Sequence, residues 1–132
     1  MKNYLLDTHT FLWFVSDAPE LSSKARNLME SEEANIFLSI ASIWEIAIKN
    51  SLGKLEVKGA FDSIPKDLKE NDIQILQIEF EHTAICNKLP LHHGDPFDRM
   101  YISQAIAENM DIIGTDRKFD EYLIVQKIKR IW

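Results

Sequence analysis

Short apolar runs alternate with longer segments of helical periodicity along the whole chain. Five runs have the length and apolar character of strands: Tyr4–Leu6, Asn35–Ile40, Ile73–Ile78, Asp111–Gly114 and Leu123–Val125. Helical spacing of apolar residues is found between them, over Thr10–Val15, Ser22–Met29, Ile43–Leu52, Phe80–Leu89 and Phe97–Met110. Alternation of this kind predicts an α/β fold in which helices cover both faces of a mostly parallel sheet.

The length of 132 residues is enough for one domain with a real core, and it predicts a single domain over 1–132. No apolar run reaches the roughly 18 to 20 residues that a membrane span needs, so we expect no membrane association. The first residues make a poor signal peptide. The single cysteine, Cys86, cannot form an internal disulfide, which predicts a reducing, cytoplasmic location.

The net charge is −6, from 21 acidic and 15 basic residues. Proteins that only coat nucleic acid are usually basic, because neutralising phosphates supplies most of their affinity. The acidic balance therefore disfavours a simple nucleic-acid-binding module. It remains compatible with an enzyme that recruits phosphate through bound cations and a few local basic residues.

Four acidic residues fall at corresponding places in the predicted elements. Asp7 follows the first strand, and Asp116 follows the fourth. Glu45 and Asp98 are each predicted to lie in the first turn of a helix. Because the carboxyl ends of parallel strands share one edge of a sheet, where ligands bind, we expect these side chains to gather there.

Carboxylates gathered at one edge repel each other and need a compensating charge to remain ionised. Hard divalent cations supply that charge in clusters of oxygen ligands. Such ions can lower the pKa of a water and stabilise a phosphate during in-line displacement. The four acids therefore predict a centre for phosphoryl chemistry.

Each acid also has an ordinary structural interpretation, and taken singly that interpretation is favoured. Asp7 can cap the helix that follows it, and Ser42 with Glu45 matches a capping box. Asp98 suits the positive end of a helix dipole, and Asp116 suits a turn. Independent caps need not share one sheet edge, however, so the four positions together favour a site.

The sequence resembles the PIN-domain family, and within it the VapC-like ribonuclease toxins of toxin–antitoxin pairs. The resemblance rests on LLDTHTFLWF from Leu5, LSIASIWEIAIKNSLGKL from Leu38, LPLHHGDPFDRMYISQA from Leu89 and GTDRKFDEY from Gly114, in order across nearly the whole chain. It implies an α/β/α sandwich around a parallel sheet. It also implies hydrolysis of RNA phosphodiesters that depends on Mg²⁺ or Mn²⁺.

The resemblance assigns the family's four acids to Asp7, Glu45, Asp98 and Asp116, as catalytic and metal-binding residues. It further implies a small antitoxin partner and a homodimer. Transfer RNA is the family-level expectation for the substrate, with ribosomal and messenger RNA left open. A PIN nuclease of RNA processing, or a PIN-like module that binds without catalysis, are the alternatives within the same fold.

Several neighbouring residues are weaker candidates for contacts with RNA. They share only their closeness to the acids in sequence: Thr8, Lys49, Arg99, Thr115 and Lys118. Solvated charges or surface ion pairs explain the three basic residues equally well. Asp95, before Pro96, is interpreted as a helix cap. Tyr101 and Ser103 stand where many relatives carry aliphatic or small residues, and neither departure is expected to touch an acid.

The histidines and aromatic residues carry less information. His92 and His93 suggest a transition metal, but adjacent side chains point in different directions and no zinc set is complete, so structural or surface roles are favoured. His9, two residues after Asp7, is a better candidate for proximity to the site. The aromatic residues at 11–14 and Trp44 are interpreted as core or interface.

A different phosphoryl-transfer enzyme is the remaining rival. The order Asp7, Thr8, His9 weakly resembles the start of haloacid-dehalogenase-like phosphatases, in which the first Asp is the nucleophile. His9 stands where that pattern has its second Asp. This departure disfavours the phosphatase interpretation.

Overall fold

The computed structural model describes residues 1–132 and contains one sheet of five parallel strands. The strands are β1 (Lys2–Leu6), β2 (Ala34–Ser39), β3 (Ile73–Leu76), β4 (Asp111–Ile113) and β5 (Arg130–Ile131). Their order across the sheet is β3-β2-β1-β4-β5, and every neighbouring pair is parallel. The predicted α/β class is confirmed, and the sheet is wholly rather than mostly parallel.

Seven α-helices connect and cover the strands. They are α1 (Thr8–Val15), α2 (Ser23–Glu30), α3 (Ile40–Ser51), α4 (Ile64–Glu70), α5 (Phe80–Lys88), α6 (Pro96–Glu108) and α7 (Asp120–Leu123). None of these helices is long and apolar enough to cross a membrane.

Two separate hydrophobic cores lie against the sheet, because successive side chains of a strand point to opposite faces. Leu6 of β1 belongs to the core that includes α1, α2 and α4, whereas Leu5 belongs to the core that includes α6 and α7. Ile113 and Ile112 of β4 divide in the same way. The sheet is therefore buried on both faces, and its carboxyl-terminal edge is left for the site.

The predicted strand over Leu123–Val125 is wrong. Leu123 is the last residue of α7, and residues 124–126 form a 3₁₀ turn. This geometry buries Leu123 while Ile124 and Val125 remain 74% and 73% exposed. A run of three apolar residues cannot distinguish a strand from a helical turn by periodicity, and the true last strand is β5.

Helix α3 starts three residues earlier than the pattern predicted. Ser39 is its cap, and the Oγ atom of Ser39 accepts a hydrogen bond of 3.0 Å from the amide of Ala41. Glu45 therefore lies in the second turn, and the predicted capping box of Ser42 with Glu45 is wrong. Helix α4, which the sequence analysis missed, begins with Ile64 and Pro65 and buries Ile64 and Leu68.

Candidate metal centre

The four predicted acids line one cleft at the carboxyl-terminal edge of the sheet. Its volume is about 380 Å³. The lining residues are Asp7, Thr8, His9, Glu45, Lys49, Asp95, Asp98, Thr115, Asp116 and Phe119. The parallel strands account for this, since β1 and β4 are neighbours and the amide of Asp7 donates to the carbonyl of Ile113 at 3.1 Å.

Asp7 has a structural role and a place in the cleft at the same time. Its Oδ1 atom accepts a hydrogen bond of 2.8 Å from the amide of Thr10, which caps α1. Its Oδ2 atom lies close to Gly114: a Cβ atom added to Gly114 would stand only 2.5 Å from Oδ2. Burial raises the pKa of Asp7, and hydrogen bonding from Thr10 and the amide of Thr115 opposes that rise.

Glu45 is held in a buried cluster of hydrogen bonds. Its Oε1 atom accepts from the hydroxyl of Thr8 at 2.6 Å and from the hydroxyl of Tyr101, and its Oε2 atom accepts from the ammonium of Lys49. Burial opposes ionisation of Glu45, but these three donors outweigh it and hold the pKa below its usual range. Glu45 is therefore a fixed carboxylate.

Tyr101 corrects one expectation from the sequence. Its departure from the family pattern was expected to leave the acids untouched, yet its hydroxyl donates to Glu45 and lies 2.7 Å from the hydroxyl of Thr8. Burial and the charge of Glu45 raise the pKa of Tyr101, so the phenol stays protonated and remains a donor. The side chain is 1% exposed.

Asp98 has a raised pKa. Burial raises its pKa to about 6; the hydrogen bond with His93 opposes the rise and the charge of Asp95 adds to it. Asp95 is the cap of α6, as predicted, because its Oδ1 atom accepts from the amide of Asp98 at 3.0 Å. Asp95 also lines the cleft.

Asp116 occupies a turn and the cleft. Its Oδ1 atom accepts a hydrogen bond of 2.9 Å from the amide of Lys118 and caps the 3₁₀ turn at Arg117–Phe119. Its Oδ2 atom lies 3.8 Å from the Nε2 atom of His93. His93, which the sequence did not single out as a site residue, thus stands between Asp98 and Asp116.

The three basic candidates have different surroundings. Lys49 lines the cleft and forms an ion pair with Glu45, whose hydrogen bond raises the pKa of the lysine. Arg99 lies outside the cleft lining and donates to the carbonyls of Cys86, Leu89, Pro90 and His93. Lys118 is exposed and also lies outside that lining. The structure brings only Lys49 to the acids.

The two predicted threonines and His9 all line the cleft. Thr8 is buried, and its hydroxyl is used by Glu45, whereas Thr115 is exposed. His9 is exposed, with its ring 5.7 Å from that of Trp13.

The donor set of the cleft fits a divalent cation. Asp7, Asp98 and Asp116 line one space, in which carboxylate oxygens of Asp98 and Asp116 lie within 4.8 Å of each other, and hard cations prefer such oxygens. Burial raises the pKa of Asp98 and the charge of Asp95 adds to the rise, so a nearby cation would favour the ionised carboxylate. The helix-starting positions of Asp7 and Asp98 add the partial positive charge of helix N-termini to the same space.

Comparison with known proteins identifies the family. The PIN domain family matches residues 4–123. The fold is similar to that of VapBC2 from Rickettsia felis bound to a DNA fragment from its promoter, with 19% identity, a TM-score of 0.70 and 96% of each chain covered. It is also similar to FitAcB from Neisseria gonorrhoeae, with 13% identity and a TM-score of 0.63, over 98% of this chain and 96% of that one. No curated protein matches the sequence. The chain belongs to the PIN-domain family.

Proposed function

We propose that this protein is a metal-dependent endoribonuclease, and specifically the toxin of a toxin–antitoxin pair. The observation that carries the proposal is the single cleft lined by Asp7, Glu45, Asp98 and Asp116. PIN domains are generally nucleases and generally use divalent metal ions. A carboxylate cluster with an open face is the arrangement that metal-assisted phosphodiester hydrolysis requires.

Asp7, Asp98 and Asp116 are the proposed ligands of Mg²⁺ or Mn²⁺. A divalent ion bound there would lower the pKa of a water and neutralise charge on the scissile phosphate. Asp7 is suited to this role because the cap on α1 uses only its Oδ1 atom. Asp116 is suited for the same reason, since its turn uses Oδ1 and leaves Oδ2 toward the cleft.

Glu45 has a different proposed role. A carboxylate offers about four acceptor positions, and three are taken by Thr8, Tyr101 and Lys49. One position remains on Oε2, which is enough to accept a hydrogen bond from a water in the cleft. We assign Glu45 to orienting the attacking water, with Lys49 fixing the carboxylate.

The substrate and partner rest on the family resemblance. RNA is the proposed substrate, with transfer RNA as the first class to test, and a cytoplasmic location stays a prediction. An antitoxin is supported by the fold, because the solved structures with this fold include VapBC2 and FitAcB. A side chain of Arg or Lys from such a partner would neutralise the carboxylates of the cleft.

The deciding experiment measures RNA cleavage by the purified protein with Mg²⁺, Mn²⁺ or EDTA. We expect cleavage that EDTA abolishes and that Asp7→Asn and Asp98→Asn each reduce by at least about 100-fold. Asp62→Asn is the matched control, because Asp62 is exposed and far along the chain from the cleft residues. Unchanged cleavage in both cleft variants would contradict the role of these acids, and absence of cleavage by the wild type would leave a PIN-like binding module as the better description.

The partner and the oligomer are tested separately. Expression of the wild-type chain, but not of Asp7→Asn, is expected to arrest growth, and co-expression of the adjacent small reading frame is expected to restore it. Light scattering after size exclusion is expected to give twice the 15.3 kDa of the chain. A monomer would contradict the homodimer without affecting the chemistry.

A further inference from the structure

Two adjacent histidines precede the cap of α6, and the structure gives them opposite surroundings. The Nδ1 atom of His92 lies 3.1 Å from Glu121, and its ring packs on Tyr122, away from the cleft. The Nε2 atom of His93 lies 2.6 Å from the Oδ2 atom of Asp98 and 3.8 Å from that of Asp116. Of the two, only His93 therefore contacts the acids of the cleft, although it is not itself among the residues that line the cleft.

His93 is held in place through both its backbone and its ring. The amides of His92 and His93 both donate to the hydroxyl of Tyr122, at 2.9 and 2.8 Å. The carbonyl of His93 accepts from Arg99, and its ring packs against Phe119. The side chain is only 16% exposed. A histidine fixed through its own backbone and ring is pre-organised for contact with the acids.

The donor atoms of His93, Asp98 and Asp116 have the spacing of ligands to one ion. One atom from each, a ring nitrogen and two carboxylate oxygens, lie within 4.8 Å of one another. Two ligands that are each about 2.1 Å from an octahedral ion stand about 3 Å apart when adjacent and about 4.2 Å apart when opposite. The separations of 2.6 and 3.8 Å need adjustments of only a few tenths of an ångström.

We propose that His93 supplies a nitrogen ligand to the divalent ion of the cleft, together with Asp98 and Asp116. This inference rests on the proposed metal centre and goes beyond the four acids, which would give an all-oxygen site. Imidazole nitrogen binds first-row transition ions more strongly than it binds Mg²⁺, in the order Mn²⁺ below Co²⁺ below Ni²⁺. The centre is therefore selective for Mn²⁺ and later ions over Mg²⁺.

A competing arrangement uses the same atom differently. The Nε2 atom of His93 can donate a hydrogen bond to Asp98, in which case it holds that carboxylate and never meets an ion. Coordination requires the Nε2 lone pair, with the ring proton on Nδ1. The two arrangements differ in whether a nitrogen is bonded to the metal, and magnetic resonance detects that difference directly.

The test is electron spin echo modulation of Mn²⁺ bound to the purified full chain. We expect ¹⁴N coupling in the wild type, its replacement by ¹⁵N coupling when the protein is labelled with ¹⁵N-histidine, and its loss in His93→Gln. His92→Gln is the matched control and keeps the coupling. Calorimetry is expected to show that His93→Gln weakens Mn²⁺ binding at least about tenfold and Mg²⁺ binding less.

The outcomes separate this inference from the proposed function. If Asp98→Asn weakens Mn²⁺ binding but the wild type shows no nitrogen coupling, the nitrogen ligand is overturned and the metal centre stays intact. Absence of Mn²⁺ and Mg²⁺ binding to the wild type overturns both. The labelled wild type shows that a histidine is bound, and retention of the coupling in both His9→Gln and His92→Gln assigns it to His93 even where His93→Gln fails to fold.

Discussion

Gly114 controls the position of the Asp7 carboxylate, and Gly114→Ala tests that control. Gly114 follows β4, is buried, and is tied to β5 because its amide donates to the carbonyl of Ile131 at 3.1 Å. An added Cβ would stand 2.5 Å from Oδ2 of Asp7 and 3.0 Å from its Cγ. Real Cβ contacts essentially never fall below 3.0 Å, so the carboxylate must move by at least about 0.5 Å.

The magnitude follows from that displacement. Functional groups must be held within about 0.5 Å of the productive geometry, and a misplacement of about 1 Å costs about 100-fold in rate. We therefore expect Gly114→Ala to reduce metal-dependent cleavage by about 10- to 100-fold, equivalent to about 1.4 to 2.7 kcal/mol. Gly114 has no positive φ, so the cost to folding is that of overpacking, about 1 to 3 kcal/mol.

The assay combines calorimetry of Mn²⁺ binding with single-turnover cleavage of RNA. Gly94→Ala is the control, because a Cβ at Gly94 meets nothing within 4 Å. The double variant Gly114→Ala with Asp7→Asn should lose little beyond Asp7→Asn alone, since both changes act on one carboxylate. Wild-type metal affinity and cleavage in a folded Gly114→Ala protein would refute the reasoning.

Two further predictions concern Asp98 and Tyr101. Because the pKa of Asp98 is raised to about 6, the carboxyl carries a proton below that pH and must release it to bind a metal. Metal affinity should rise with pH through about 6, with proton release measured by calorimetry in buffers of different ionisation enthalpy. Asp98→Asn should show a weaker dependence over the same range. Tyr101→Phe removes a donor to the charged Glu45 and should lower the free energy of unfolding by about 1.5 to 3 kcal/mol, measured by urea denaturation. Tyr4→Phe is its control, and equal stability of the two variants would contradict the cluster's importance.

The central strands of the sheet could be predicted from their apolar runs. Strands β1 and β2 were predicted within two residues of their bounds, because each is a buried apolar run that ends at a polar residue. Residues 123–125 failed because three apolar residues fit a helical turn as well as a strand. Helix α3 was placed too late because Ser39 and Ser42 are equally good caps in sequence, and only the end of β2 decides between them.

The site was predictable in its acids and not in the residues that hold them. Asp7, Asp98 and Asp116 could be placed because each follows a strand or begins a helix. The contacts of Glu45 with Thr8 and Tyr101 join residues 37 and 56 positions apart, and no local pattern encodes them. The division between His92 and His93 depends on tertiary contacts, since the ring of His92 packs on Tyr122 and that of His93 packs on Phe119.

The charges in and around the cleft bear on how a chain of net negative charge would bind the proposed RNA substrate. Lys49 is committed to Glu45, and Arg99 is committed to backbone carbonyls, so neither cation is free for a phosphate. Of the basic residues considered from the sequence, only Lys118, beside Asp116, has no side-chain partner. For the RNA substrate proposed above, a bound ion would supply attraction at the cleft that Lys49 and Arg99 do not. Under that proposal, metal occupancy would affect substrate binding as well as the chemical step.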